Sequence, residues 1–186
     1  NAGEGNNDTF TGGAGTYVIQ LSSGSHTFST DNKVNTVETF VANSSGSTLV
    51  LTGQTEGFTI SGGTGVDDLT GGNADDIITG GAGNDTLVGG TGNDTFNVDS
   101  GTDIITLLGG DNSGAGGDSD VLVVSSGATV NATNINSFTA TTASSNAGTA
   151  NLSTKAAGGT INMAASNSGA YNINGGAGND ILTGGG

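Results

Sequence analysis

Apolar residues recur every nine positions between Gly62 and Thr106. Written in rows of nine, the stretch reads GGTGVDDLT, GGNADDIIT, GGAGNDTLV, GGTGNDTFN and VDSGTDIIT. The eighth position is always apolar (Leu69, Ile78, Leu87, Phe96, Ile105), and the sixth is always Asp (Asp67, Asp76, Asp85, Asp94, Asp103). A Gly pair opens four of the five rows. Glycine tolerates the positive φ of a tight turn at no steric cost. The residues around the eighth position alternate as a short strand does, turning that side chain inward and its neighbours outward. Each row thus predicts one turn and one strand, and two rows make a coil with strands on opposite faces.

The same nine-residue phase is weaker elsewhere. In Gly3 to Gln20, GEGNNDTFT keeps Asp8 and Phe10, whereas GGAGTYVIQ keeps Ile19 but has Tyr17 in place of Asp. After Thr106 the register falters. A longer turn through Gly116-Gly117 and Asp118-Ser-Asp120 leads to a final strand-forming row, Val121 to Val124. Another row, GGAGNDILT, spans Gly175 to Thr183. Between the rows lie stretches rich in Ser, Thr, Asn and Val, with alternation in Val34 to Val41 and Thr48 to Leu51. β-Branched residues punctuated by Asn, Ser and Gly favour short strands and turns, and good helix formers are scarce. The expected fold is all-β: a solenoid of stacked coils built from short strands, with no helix.

The chain divides by composition into degenerate rows at 1–20, a Ser/Thr-rich spacer at 21–61, the main array at 62–124, a second spacer at 125–174 and the start of a further row at 175–186. Ser22-Ser-Gly24 and Ser125-Ser-Gly127 each follow an apolar strand. Phe58-Thr-Ile-Ser-Gly-Gly63 resembles Tyr171-Asn-Ile-Asn-Gly-Gly176. These matches read as two copies of a larger module with unequal spacers.

Composition narrows the partners. Of 186 residues, 37 are Gly and none is Pro or Cys. Without Pro or a three-residue period, collagen is excluded. The net charge is −15, and 11 of the 17 acids lie between Asp67 and Asp120. Such a chain repels nucleic acid and anionic lipid, and no apolar run is long enough to span a membrane as a helix. The opening Asn-Ala-Gly reads as an internal fragment of a longer protein, and the absence of Cys suits an extracellular bacterial protein and a cytosolic one equally.

Stacked strands lie ~4.8 Å apart, so Asp67, Asp85 and Asp103 should line one edge and Asp76 and Asp94 the other. Neighbouring carboxylates at that spacing repel by about 3.5 kcal/mol at an effective dielectric of ~20. A cation between them reverses the sign. Hard carboxylate and carbonyl oxygens with no His or Cys nearby favour Ca²⁺ over zinc or copper. So few inward side chains cannot offset the entropy of ordering a Gly-rich array, and folding and calcium binding are expected to be one event.

The rows resemble the glycine- and aspartate-rich nonapeptides of the repeats-in-toxin (RTX) family. The resemblance implies a right-handed parallel β-roll with calcium-binding turns. It places ions between Asp67 and Asp85, Asp85 and Asp103, and Asp76 and Asp94, with Asp180 as the equivalent ligand of the last row. It also implies backbone-carbonyl ligands at Gly62, Thr64, Gly71, Asn73, Gly80, Ala82, Gly89 and Thr91. Asn112 falls where the next Asp of the second edge belongs and, without the charge, is the poorer partner for Asp94. Ala74, where Gly is usual, and the Val98-Asp-Ser opening of row five alter the expected carbonyl geometry.

The spacers, through Val34 to Val41, Asp120 to Val124 and Ile135 to Phe138, resemble segments of bacterial surface-layer (S-layer) proteins. That resemblance implies type I secretion and calcium-dependent self-association into a lattice at the cell surface, with a surface polysaccharide as a candidate anchor. The alternative is a C-terminal secretion and folding module of a secreted enzyme or adhesin. Other residues have plainer readings. His26 is expected on a strand surface, and Asp68, Asp75 and Asp99 in solvent or beside the ligands. Glu38 is placed on a spacer turn as a further candidate calcium ligand, and the Thr run from Thr139 to Thr142 on a solvated strand face. With one His and no G-x-S-x-G motif, no catalytic site is expected.

Overall fold

The computed structural model describes residues 17–28, 38–42, 45–106, 108–109 and 118–185. Asp8, Phe10, Asn112 and the start of the Val34 segment lie outside these. The described residues form eighteen strands and no helix, as the turn-rich, β-branched sequence predicts. Numbered in chain order, β1 (Val18–Gln20), β3 (Thr39–Val41), β5 (Thr59–Ser61), β7 (Ile77–Thr79), β9 (Thr95–Val98), β11 (Val121–Val124) and β14 (Ser145–Asn146) make a seven-stranded sheet. The eight strands β2 (Gly24–Thr27), β4 (Ser47–Val50), β6 (Asp68–Thr70), β8 (Thr86–Val88), β10 (Thr102–Thr106), β12 (Thr129–Ile135), β15 (Thr149–Thr154) and β17 (Tyr171–Asn174) make a second. A third sheet holds β13 (Ser137–Thr139), β16 (Thr160–Asn162) and β18 (Ile181–Thr183).

The chain alternates between the first two sheets as far as β12, and the described strand pairs are parallel. This is the coil that the rows predict: β6 stacks on β8 and β7 on β9. Spacer and array strands join the same sheets without interruption, since β3 and β5 continue into β7 and β9.

Each inward column is one residue wide. In the eight-stranded sheet Leu49, Leu69, Leu87, Ile105 and Ala132 stand in register and are buried. Ile60, Ile78, Phe96 and Leu122 do the same in the other sheet. A three-residue strand holds one inward side chain and a longer one can hold two, as in Phe96 with Val98 and Leu122 with Val124, so the core is a narrow seam. At one end of it Phe28, Phe40 and Phe58 form an aromatic stack with centroid separations of 5.4 and 5.5 Å.

His26 departs from the sequence expectation. It is buried rather than on the surface, pairs in register with Leu49, and sets its Nε2 2.9 Å from the Ser22 carbonyl oxygen. It occupies the inward site of a period-two strand, and that local hydrogen bond satisfies its ring.

Past β12 the coil gains a third side. Asn134 sits at φ 61°, and the pairing of β12 with β15 shifts register between Ala132 and Ile135. Asn is among the few side chains that tolerate this left-handed conformation, and the resulting bulge bends the strand. The chain then enters β13, and Phe138 and Ile161 start a third inward column. The proposed internal duplication holds only in part. β1 and β11 share a sheet and each leads through Ser-Ser-Gly to the other, but β5 lies in the seven-stranded sheet and β17 in the eight-stranded one.

Candidate metal centre

In the first four rows the sixth-position Asp immediately precedes the strand, at the corner where turn becomes sheet, and in the fifth Asp103 is the second residue of β10. All five in the array are buried, at 0 to 2 % exposure. They form two ladders. On one edge the backbone N–H of Asp67 donates to Asp85 Oδ1 (2.9 Å) and that of Asp85 to Asp103 Oδ1 (3.0 Å). On the other, Asp76 N–H donates to Asp94 Oδ1 at 2.9 Å. Ser47 and Phe58 N–H groups start the two ladders, donating to Asp67 Oδ1 and Asp76 Oδ1 at 2.6 and 2.7 Å.

The second ladder does not stop at Asp94. Asp120, also buried, accepts the Asp94 N–H at 2.9 Å across a coil of 26 residues instead of 18. The insertion in this coil moves the ladder rung from the position of Asn112 to Asp120. Glu38 takes the same role farther along that edge, accepting the Tyr17 N–H at 2.6 Å. Both were legible as an acid two residues before an inward apolar side chain, Asp120 before Leu122 and Glu38 before Phe40. Nine-residue counting obscured Asp120, whereas Glu38 was expected on a spacer turn as a candidate ligand.

A second, exposed row of side chains went unread. Asp75 Oδ1 accepts the Asn93 N–H (2.7 Å), Asn93 Oδ1 the Ser119 N–H (2.7 Å) and Asn84 Oδ1 the Thr102 N–H (2.9 Å). These fifth-position side chains reach forward to the next coil, whereas the sixth-position Asp side chains reach back. Each turn is thereby tied in both directions. The signal was the Asx at position five of rows two, three and four.

Burial without counterions distorts the acids. Burial pushes Asp76, Asp103 and Asp120 up to about 6 and Asp94 to about 8, the latter with added repulsion from Asp120 and Asp76. Asp85 is raised as well, by burial first and then by Asp67. A corner that disfavours its own carboxylates to this degree calls for positive charge.

The residues fit calcium. Asp85 Oδ2 and Asp103 Oδ2 are buried without a hydrogen-bond partner. A Cβ placed on Gly80 would lie 2.6 Å from the first and 3.1 Å from the second. The missing side chain therefore leaves a cradle between two orphaned carboxylate oxygens. Carbonyls approach as well: a Cβ on Gly62 would run into the Gly80 carbonyl and lie 3.0 Å from Asp67 Oδ2, and one on Gly71 would meet Asp76 Oδ2 and the Gly89 carbonyl. Among the described residues no three Asp, Glu, His or Cys side chains converge. Because Ca²⁺ takes 6–8 oxygens, backbone carbonyls must complete each site.

Of the other expected carbonyl ligands, Asn73, Ala82 and Thr91 use their N–H groups to bond the carbonyls of Gln54, Gly63 and Gly72 in the preceding coil. Thr64 lies in the turn of the first row. Asp180 is half-buried on the edge of the third sheet, apart from both ladders, and accepts the Gly159 N–H at 3.0 Å. Asp68 and Asp99 are exposed.

A parallel β-roll with paired, buried carboxylates at its turns defines a calcium-binding class of solenoid. A family model for the RTX calcium-binding nonapeptide repeat matches four copies, at residues 2–19, 61–96, 79–113 and 167–186. The chain carries RTX repeats, a class of repeat that binds calcium. No curated protein and no solved structure matches it. RTX repeats are typical of secreted proteins, and no helix of the described residues is long and apolar enough to cross a membrane.

Proposed function

We propose that the chain is a non-catalytic, calcium-dependent structural segment of a bacterial S-layer protein, secreted by the type I route and self-associating at the cell surface. The observation that carries this reading is the placement of charge. The seven-stranded sheet holds no charged residue, and the eight-stranded sheet holds only exposed Asp68 and buried Asp103. In a chain of net charge −15, the other described acids lie in the turns between strands. Outward positions of the sheets carry Thr, Ser, Asn, Val and Ile, among them Val18 and Ile77 at 52 and 46 % exposure. Calcium at the corners lowers the repulsion between copies and leaves sheet faces of little charge free to pack.

The spacer coils fit this role. They lengthen the solenoid and its faces while adding little net charge, three acids against two Lys across both spacers, whereas a module that served only to fold in response to calcium would need nonapeptides alone. The second reading, a secretion and folding module of a secreted enzyme or adhesin, is favoured by the array itself. Electron microscopy of the chain with and without Ca²⁺ separates the two. Ordered sheets that form with calcium and dissolve in chelator support the lattice; dispersed monomers at every calcium concentration support the module.

A further inference from the structure

Rows of similar sequence adopt two different turns. In the third and fourth rows the second and fourth positions are left-handed, with φ of +92° and +152° at Gly81 and Gly83 and +113° and +114° at Gly90 and Gly92. Their counterparts in the first two rows, Gly63, Gly65, Gly72 and Ala74, are not left-handed. Ala74 resists that conformation through its Cβ. In the first two rows the second glycine closes instead on its own row's acid: Gly63 N–H donates to Asp67 Oδ2 (2.9 Å) and Gly72 N–H to Asp76 Oδ2 (2.7 Å).

The carboxylates therefore differ in what they have left to give. Asp67 and Asp76 each have both oxygens bonded to backbone N–H groups. So does Asp120, whose Oδ2 accepts the Gly109 N–H at 2.6 Å. Asp85 and Asp103 spend only Oδ1 on the ladder, and their Oδ2 atoms flank the Gly80 cradle with no partner.

The geometry points to unequal calcium sites: the Asp85–Asp103 gap holds its ion most tightly and last, whereas ions drawing on Asp67 and Asp76 compete with the Gly63 and Gly72 N–H groups and leave first. The inference rests on the calcium-binding reading and adds an order to it. At Asp85 and Asp103 an ion meets oxygens that water cannot reach and no donor satisfies, so its departure strands two buried charges. At Asp67 and Asp76 a backbone donor stands ready to take the ion's place, which lowers the cost of release. The first rows then give up calcium while the centre of the array stays folded.

Graded chelation of the calcium-loaded chain tests this, with bound calcium, circular dichroism and backbone amide NMR read in parallel. We expect the Gly63 and Gly72 amides to shift while most of the β signal persists, and the Gly80 amide to shift only as that signal collapses. Asp103→Asn should raise the calcium concentration needed to hold the fold at least tenfold, and Asp76→Asn much less. Simultaneous shifts of all three amides, or equal effects of the two variants, would overturn the order while leaving calcium binding intact. An Asp103→Asn chain that stays unfolded at any calcium level supports the order when Asp76→Asn folds and contradicts it when neither does. A β signal indifferent to chelator would instead sink the calcium-binding reading itself.

Discussion

The backbone N–H of Asp67 donates to Oδ1 of Asp85, 2.9 Å away and 18 residues later. This bond joins two buried carboxylate-bearing residues of successive coils, and Asp85 repeats it with Asp103. The side chain that lines the calcium corner is therefore also the stitch that sets the coil spacing. Binding and folding share the same atoms.

Asp85 is the middle rung, so its removal should be felt on both sides. Asp85→Ala leaves the buried Asp67 N–H without its acceptor, a cost of about 1–3 kcal/mol, and takes a carboxylate from two ion sites. A calcium titration followed by circular dichroism should show the folding midpoint moved to much higher calcium. Exposed Asp99→Ala should leave it nearly unchanged, and equal shifts would argue against stacked rungs.

The Gly80 cradle makes a sharper demand. A methyl group there falls 2.6 Å from Asp85 Oδ2 and 3.1 Å from Asp103 Oδ2. Gly80→Ala should lower the number of calcium ions bound, measured by equilibrium dialysis. Gly184→Ala, with no atom within 4 Å of the new methyl, should bind the full number.

The narrow core predicts a large penalty at a single site. Leu87 is fully buried between Leu69 and Ile105, and Leu87→Ala should cost about 2–5 kcal/mol. Denaturant unfolding at saturating calcium measures it.

Much of this was legible in the sequence. A sixth-position acid and an eighth-position apolar residue, recurring every nine residues, are enough to yield parallel coils, their stacking and two opposed ladders. Other features depend on the third dimension. Asp120 joins its ladder 26 residues after Asp94, and no nine-residue period reaches it. His26 is buried because its strand alternation puts it opposite Leu49, and the hydrogen bond to Ser22 is invisible before folding. The third face follows from one Asn134 in a left-handed conformation, which a Ser/Thr/Asn-rich spacer offers no means of singling out.

Acid should act on the calcium-free chain in the opposite sense from most proteins. Burial raises Asp76, Asp103 and Asp120 from 3.8 to about 6 and Asp94 to about 8. A carboxyl whose pKa is raised by folding binds its proton more tightly in the folded state. Its stabilisation is complete below the unfolded value of ~3.9 and is lost as pH rises through the folded value. Without calcium, folding should therefore weaken progressively from about pH 4 to about pH 8. With calcium, protons compete for the same oxygens, so the calcium midpoint should rise as pH falls across that window. Circular dichroism titrations at several pH values check both trends.

The central claim is that calcium holds the fold together, and circular dichroism on the isolated chain at pH 7.5 tests it most directly. The account predicts a weakly structured spectrum in chelator that becomes β-rich on addition of Ca²⁺ and reverts when the ion is removed. A β-rich spectrum that is the same with chelator and with calcium would contradict it.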